Sequence, residues 1–439
     1  MSFHSASERG KLLLRILEDV SSPLAVLHGY QTFPESIPSD VDIIGTKAVL
    51  EQLKCLVAAG RYKVVQVIQY ESTSYAWIFV AKDTSGRHVY LQIDFSVDYR
   101  GDGRIFYRAE ELLPHKQIFK GVIPVLPPAL EFGYYVVKKI RKGRIEPRHA
   151  ARLTELYRQD PEGCRKELAK FFPENELEQI VRAAESGDWT PVQTSIRFIR
   201  RDMLRKVAVA HPWDVPIFYM GDFYRLVKRI LQPAGIVVAF LGMDGSGKTS
   251  VIEGVGEALL PIFHRQKIIH LRPSLRAKQY QGPVTNPHGR PPRGFFLSVG
   301  KLFYWWAEYA VGWFLSVFPS KVRKALILFD RYYHDLLVDS KRYRYGGPMW
   351  LARLATRFVP KPDLFIFLDL PAEVAYSRKP EVPPEEARKL REQYLKLARS
   401  LPNSHVVDAS RPFAEVVTEV EQIILDYMAE RTARRLGLK

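Results

Sequence analysis

The chain is poor in cysteine, short of acid relative to base, and has no long apolar run free of charge. Cys55 and Cys164 are its only cysteines in 439 residues, 109 positions apart, with no C-x-x-C and no His-rich partner. This excludes a disulfide scaffold and a cysteine-based zinc site and fits a reducing compartment. The most apolar stretch, FFLSVGKLFYWWAEYAVGWFLSVF from Phe295 to Phe318, is long enough to cross a bilayer but is interrupted by Lys301 and Glu308. Each charge would cost about 2.5–3.5 kcal/mol at the centre of a span. The stretch therefore reads first as a core helix and second as a peripheral membrane-surface or partner-facing helix, with a true span disfavoured. The N-terminus, MSFHSASERGKLLLRILEDV, has charges inside every apolar stretch and no small-residue cleavage site. It predicts an amphipathic helix, not a signal peptide, and a cytoplasmic protein. No repeat of fixed period is present.

What is there is ordinary folded-protein composition, 46% apolar and 26% charged, in a length that accommodates two or three domains at roughly 150 residues each. The 65 basic against 48 acidic residues leave a net charge of +17. Such an excess suits polyanionic partners: nucleic acid, anionic lipid or nucleotide phosphates. The basic residues bunch at Lys138, Lys139, Arg141, Lys142, Arg144 and Arg148, again at Arg197, Arg200, Arg201, Arg205 and Lys206, and again near the C-terminus. Solvated helix faces account for such bunches without any partner, so nucleic acid is open but not favoured.

Three regions differ in rhythm. Residues 1–128 mix helices and strands. YAWIFVAK (Tyr75 to Lys82) and HVYLQID (His88 to Asp94) are β-rich runs joined by DTSGR, which predicts a hairpin. Residues 129–232 lose the strand signal, and HAARLTELYRQ, CRKELAKFF and ELEQIVRAAES show helical spacing, a helical connector or second lobe. Residues 233–439 alternate GIVVAF, ALILF and LFIFL with helical stretches, which argues for an α/β unit with a parallel sheet covered on both faces.

After GIVVAF the chain reads Gly242-Met-Asp-Gly-Ser-Gly247-Lys248-Thr249, matching G-x-x-x-x-G-K-[ST] at every fixed position and opening a helix. The glycines let the backbone turn so that N–H groups at Gly242, Gly245, Ser246, Gly247 and Ser250 can face phosphate oxygens. Lys248 supplies charge to the outer phosphates, and the Thr249 hydroxyl can ligate Mg²⁺. ATP and Mg²⁺ are the expected cofactors.

The loop FLGMDGSGKTS, with its acidic Asp244, resembles that of the thymidylate kinase family. In order follow LILFD ending in Asp330-Arg331-Tyr332, then KPDLFIFLDLPAEVAYSR, then HVVDAS with the helix PFAEVVTEVEQIIL, each similar to a segment of that family. The resemblance covers Ala234 to Ala433. It implies that Asp330 holds metal or acceptor, that Arg331 holds an acceptor phosphate and that Asp244 positions the acceptor. It further implies that Arg378, Lys379, Arg388 and Arg391 belong to a basic lid over the transferring group, as phosphoryl transfer requires positive charge and exclusion of water. The chain departs from the family where an Arg-Glu-Pro-Gly-Gly segment shapes the thymidylate pocket: here HLRPSLRAKQYQG keeps only Arg272-Pro273, and GPVTNPHGRPPRG follows as an insertion. A different small-molecule acceptor is expected, with dTMP as the alternative and a nucleotide-sensing or nucleic-acid-binding module as the reading from another class. A dimer is compatible with the sequence.

In the N-terminal region, LHGYQTFPESIPSDVDIIG places Gly29 ahead of Asp40 and Asp42, which share one side of an extended segment, and Asp94 sits at the end of the hairpin's second run. Three carboxylates so placed can form a two-metal cluster. The pattern resembles the nucleotidyltransferase superfamily of polymerase-β-like fold, which implies a metal site at Asp40, Asp42 and Asp94. Tyr30 stands where that signature has Ser or a second Gly, so an active site, a degenerate binding domain and plain surface carboxylates all remain open. Fusions of these two kinds resemble bacterial surface-polysaccharide modification proteins, which extends the acceptor list to sugars and polyols.

Overall fold

The computed structural model describes residues 6–273, 291–378, 380 and 382–438. Its contacts divide the chain into two compact units, residues 1–228 with 429–439, and residues 229–428.

The first unit opens with helix α1 (Glu8–Asp19), where the Ser7 side chain accepts the Gly10 N–H and caps the first turn. A seven-stranded sheet follows, built from β1 (Leu24–Val26), β2 (Val41–Gly45), β3 (Lys63–Glu71), β4 (Ser74–Lys82), β5 (His88–Ser96), β8 (Gln117–Phe119) and β9 (Ile123–Val125), in the order β3-β4-β5-β2-β1-β9-β8. A separate two-stranded ribbon, β6 (Asp98–Gly101) with β7 (Arg104–Arg108), leads into the short α3 (Ala109–Leu112), and α2 (Lys47–Ala58) follows β2. β4 and β5 pair antiparallel from Ser74↔Ser96 to Lys82↔His88, the hairpin that the DTSGR turn predicts. β2 and β5 run parallel with Asp42 beside Asp94, so residues 52 positions apart in sequence become neighbours on the sheet.

Helices α4 (Pro128–Lys142), α5 (Pro147–Gln159), α6 (Pro161–Ala169), α7 (Glu174–Ser186) and α8 (Thr190–Ala210) bear out the helical reading of that region. Their apolar stripes do not close on themselves. Phe132, Val136, Leu153, Cys164, Ile180 and Met203 lie in one buried cluster with Ala25, Leu27 and Ile44 of the sheet. The sequence reading drew a boundary at 128/129, but the two segments share a single core. α9 (Asp214–Leu231) carries the chain past Lys228, the last residue of this segment of the first unit.

The second unit is an all-parallel five-stranded sheet in the order β11-β12-β10-β13-β14: β10 (Ile236–Leu241), β11 (Gln266–His270), β12 (Leu326–Asp330), β13 (Leu364–Asp369) and β14 (Ser404–Asp408). β10 is buried along its whole length, as a central strand flanked by helices must be. Among the described residues the helices are α10 (Lys248–Ala258), α11 (Phe295–Gly312), α12 (Phe318–Val322), α13 (Asp335–Val338), α14 (Met349–Ala355), α15 (Ala372–Arg378), α16 (Pro384–Ser400) and α17 (Phe413–Arg435), the last of which passes into the first unit at Ala429. The fold class expected from the alternating apolar runs is the one observed.

The aromatic stretch forms α11, a π-helical turn over Trp313–Val317, and α12. Ser298, Leu302, Trp305, Tyr309 and Gly312 are buried at three- and four-residue spacing, one face of a helix on the core. Glu308 is neutralised by an ion pair with Arg272. Among the described residues no helix is long and apolar enough to cross a membrane. The insertion read from the sequence at 282–294 lies outside the described residues over 282–290.

Candidate functional site

The phosphate loop stands between β10 and α10. Gly247 has φ +79° and Gly242 φ +146°, backbone that L side chains rarely adopt. A Cβ on Gly242 would also meet the Leu368 carbonyl oxygen of β13 at 2.6 Å, so only glycine lets the loop leave the sheet there. Lys248 and Ser246 are buried. The Lys248 ammonium donates to the loop's own carbonyls, Gly242 O at 3.0 Å and Met243 O at 2.7 Å. Burial, with the nearby Arg331 charge, pushes its pKa down to about 8.

Thr249, in the first turn of α10, donates from its hydroxyl to Asp330 Oδ2 at 3.1 Å across to the end of β12. Burial alone would raise the Asp330 pKa, but the His270 hydrogen bond and the charges of Lys248 and Arg331 outweigh it and hold it at about 2. Its other oxygen, Oδ1, is buried and has no hydrogen-bond partner among the described residues. The next residue, Arg331, is buried and has φ +72°, a strained conformation for a side-chain-bearing residue that costs on the order of 1–3 kcal/mol. Its amide is fixed to Phe240 O of β10 at 3.0 Å, so the sheet imposes the kink. The kink delivers the guanidinium between two carboxylates: it forms ion pairs with Asp244 of the phosphate loop and with Asp335 at the start of α13.

Two residues that sequence reasoning missed complete this arrangement. Arg342 forms a second ion pair with Asp244. Asp335, fully buried, also accepts hydrogen bonds from Tyr343 and Tyr394, both at 2.6 Å. The only local signal was the four-residue spacing of Arg331 and Asp335. Asp244, Arg331, Asp339, Tyr376 and Tyr394 line a cleft roofed by α15 and α16.

The expected lid cations fall differently. Arg388 donates twice to Glu373 Oε1, at 2.9 and 2.6 Å, and Arg391 is bidentate on Asp369, at 2.7 and 2.7 Å. Arg378 is exposed at the end of α15, and Lys379 lies outside the described residues.

In the first unit Asp40, Asp42 and Asp94 do come together. Burial, and the proximity of Asp42 and Asp40, push the Asp94 carboxyl up to about 7. Among the described residues no group of three His, Cys, Asp or Glu is arranged to hold a metal ion. Asp42 has a cation of the protein's own beside it. Lys138 of α4 reaches Asp42 Oδ2 at 3.0 Å, and His28 Nε2 stands 3.1 Å from the same oxygen. Tyr30 is buried, its phenol donating to Glu131 at 2.6 Å, with Arg152 on the same carboxylate at 2.9 Å. Asp42 and Asp94 open into a larger pocket lined by Glu71, Tyr99, Arg100, Tyr134, Lys138 and Arg141, among others.

A glycine loop whose lysine and threonine face an acid at the end of the neighbouring parallel strand places the second unit among the P-loop phosphotransferases. No family model matches the chain. Over 200 residues, 43% of this chain and 96% of the relative, it is 30% identical to the probable thymidylate kinase 1 of Saccharolobus solfataricus. It is 24% identical to the thymidylate kinase of Xanthomonas campestris pv. campestris over 216 residues, 46% of this chain and 88% of that one. A crystal structure of thymidylate kinase from Ehrlichia chaffeensis aligns over 44% of this chain and 99% of its own, at 18% identity and TM-score 0.31. The chain belongs to the thymidylate kinase family and is an ATP-dependent kinase, with that likeness confined to less than half of its length.

Proposed function

We propose that the kinase unit transfers the γ-phosphoryl group of ATP to a small acceptor of the sugar, polyol or sugar-phosphate class. The observation that carries this reading is the pair of arginines on Asp244: Arg331 and Arg342 meet its carboxylate beside the phosphate loop, a set of donors and acceptors suited to a hydroxyl or phosphate of the acceptor. Lys248 would neutralise the donor phosphates, and the N–H groups from Gly242 to Ser250 would cradle them. The unpartnered buried oxygen of Asp330, beside the Thr249 hydroxyl, suits a hard cation. Thr249 and Asp330 would hold Mg²⁺, which when bound supplies charge at the phosphate oxygens. Asp244 would orient the acceptor, and Arg331 would meet the charge that develops during transfer.

The names of the relatives favour a second reading, dTMP as acceptor. Against it stands the loss of the Arg-Glu-Pro-Gly-Gly segment. Here Arg272 is spent on Glu308 and lies 5.2 Å from the centre of the Trp305 ring. An acceptor panel with labelled ATP, Mg²⁺, dTMP, other nucleoside monophosphates, sugars and sugar phosphates separates the two. The expected result is a sugar, polyol or sugar phosphate as best acceptor and dTMP poor. Turnover of dTMP at a kcat/KM of ~10⁴ M⁻¹s⁻¹ or more would replace the first reading by the second.

For the first unit we propose a nucleotidyltransferase-like domain that binds a ligand without nucleotidyl transfer, because Lys138 holds the carboxylate that a metal would need. In a Lys248→Ala background, each nucleoside triphosphate with Mn²⁺ is expected to give no pyrophosphate release. Release that disappears in Asp42→Asn would show a second active site.

A further inference from the structure

Strand β5 has two unlike sides. Ile93, Phe95 and Val97 are buried in the core of the sheet, while Gln92, Asp94 and Ser96 point the other way and are half-buried. Cross-strand neighbours share a face, so the pairs Asp42↔Asp94, Ser74↔Ser96 and Glu71↔Ser74 set three carboxylates and two hydroxyls on one side of the sheet. These five residues line a pocket of about 320 Å³ whose walls come from the first unit alone. Its size suits a small molecule.

The charges of the pocket decide what it can hold. Its cations are engaged: Arg100 pairs with Asp98, Lys138 with Asp42, and Arg141 and Arg200 both with Asp102. Lys142, which is exposed, is the exception among the described residues. Two carboxylates are left over, since among the described residues neither Glu71 nor Asp94 has an ion-pair partner. Asp94 accepts from the neutral Gln92 amide at 2.9 Å, and burial pushes the Glu71 carboxyl above its ordinary value. Phosphates would need cations that are not already engaged. Glu71 and Asp94, with the Ser74 and Ser96 hydroxyls beside them, instead offer acceptors to a ligand rich in O–H donors. Tyr99 and Tyr134, edge to face with ring centres 4.7 Å apart, add apolar ring surface for its C–H groups. We propose that this pocket binds a neutral polyhydroxylated ligand, a sugar or alditol without a phosphate, whose hydroxyls donate to Glu71 and Asp94. The proposal rests on the reading of the first unit as a ligand-binding domain without nucleotidyl transfer. It makes that domain selective for the unphosphorylated form, because a phosphate on the ligand would be repelled by the two carboxylates.

The test is titration calorimetry of the full chain with glucose, galactose, mannose, ribitol and sorbitol, against mannose phosphate and ATP. At least one neutral compound is expected to bind with a Kd of ~1 mM or tighter, and Glu71→Gln to weaken it by ~10-fold or more. The variant should keep the melting midpoint, since the carboxylate has no ion-pair partner to lose. Should Glu71→Gln disturb folding, Ser96→Val, β-branched and suited to a strand, removes a hydroxyl from the pocket and should weaken the same compound. The proposal is overturned if no neutral compound binds, or if binding is unchanged in both variants, which would place the compound in the kinase unit. It is also overturned if mannose phosphate or ATP is what the variants weaken. The reading beneath it fails by a different signal, pyrophosphate release that is lost in Asp42→Asn, and Glu71-dependent sugar binding would stand beside that result.

Discussion

Lys248→Ala is expected to lower phosphoryl transfer on the order of 10²–10³-fold, since it removes a fixed charge aimed at the donor phosphates. The fold should survive the change. The side chain's hydrogen bonds run to carbonyls of its own loop, and its buried ammonium is a burden to the fold, with a pKa held down to about 8. Linkage fixes the sign of the accompanying pH effect. With the native pKa below the unfolded value of about 10.4, the unfolded chain binds more protons between pH 8 and 10, so wild-type stability should rise with pH across that window. The alanine variant should lack this rise, and below pH 8 it should be no less stable than wild type on this account. Wild-type ATP turnover in the purified variant, with an unchanged melting curve, would remove Lys248 from the mechanism.

Asp335→Ala should be the most damaging single change in the kinase unit. It would leave the buried guanidinium of Arg331 with only Asp244 and would strand the hydroxyls of Tyr343 and Tyr394. Removing one partner of a buried ion pair costs about 3–5 kcal/mol. For a unit of this size that is a fall of roughly 6–20 °C in its melting midpoint. Asp335→Asn, which keeps the shape and one acceptor, should fold better and reveal the positioning role through a lower kcat. Glu386→Gln breaks an ion pair to Lys341 in which the lysine is exposed and the glutamate half-exposed, and its midpoint should not move measurably. Equal effects of Asp335→Ala and Glu386→Gln in calorimetry would show that the buried network does not support the unit.

Sequence and structure agree where a signal is local. IVVAFL, LILFD and LFIFLD are short apolar runs ending at turns, and each is a buried parallel strand. The phosphate loop is contiguous, so its glycines, Lys248 and Thr249 were legible by spacing alone. Asp42 and Asp94 were legible as strand residues. Their cation was not, since Lys138 lies 96 residues beyond Asp42 and arrives only because α4 packs on the sheet. Arg342 and Tyr394 were hidden for the same reason: 98 and 59 residues separate them from Asp244 and Asp335. Helical periodicity in 129–232 marked apolar faces correctly but carries no information on what a face packs against. Ala25, Leu27 and Ile44 were therefore missed as partners.

The chain's two excursions set an order of events during synthesis. It leaves the first unit after Lys228, builds 200 residues of kinase, and returns at Ala429. There Thr432 donates to the Val65 carbonyl oxygen at 2.9 Å, and Leu436 packs against the core of the N-terminal sheet. A ribosome adding about 5–20 residues per second exposes the nascent first unit for roughly 10–40 s before these partners emerge. During that interval the edge at Val65 waits unfinished while the kinase unit folds behind it. Stop codons or proteolytic cuts after the kinase sequence would thus spare the catalytic unit and strike the other one.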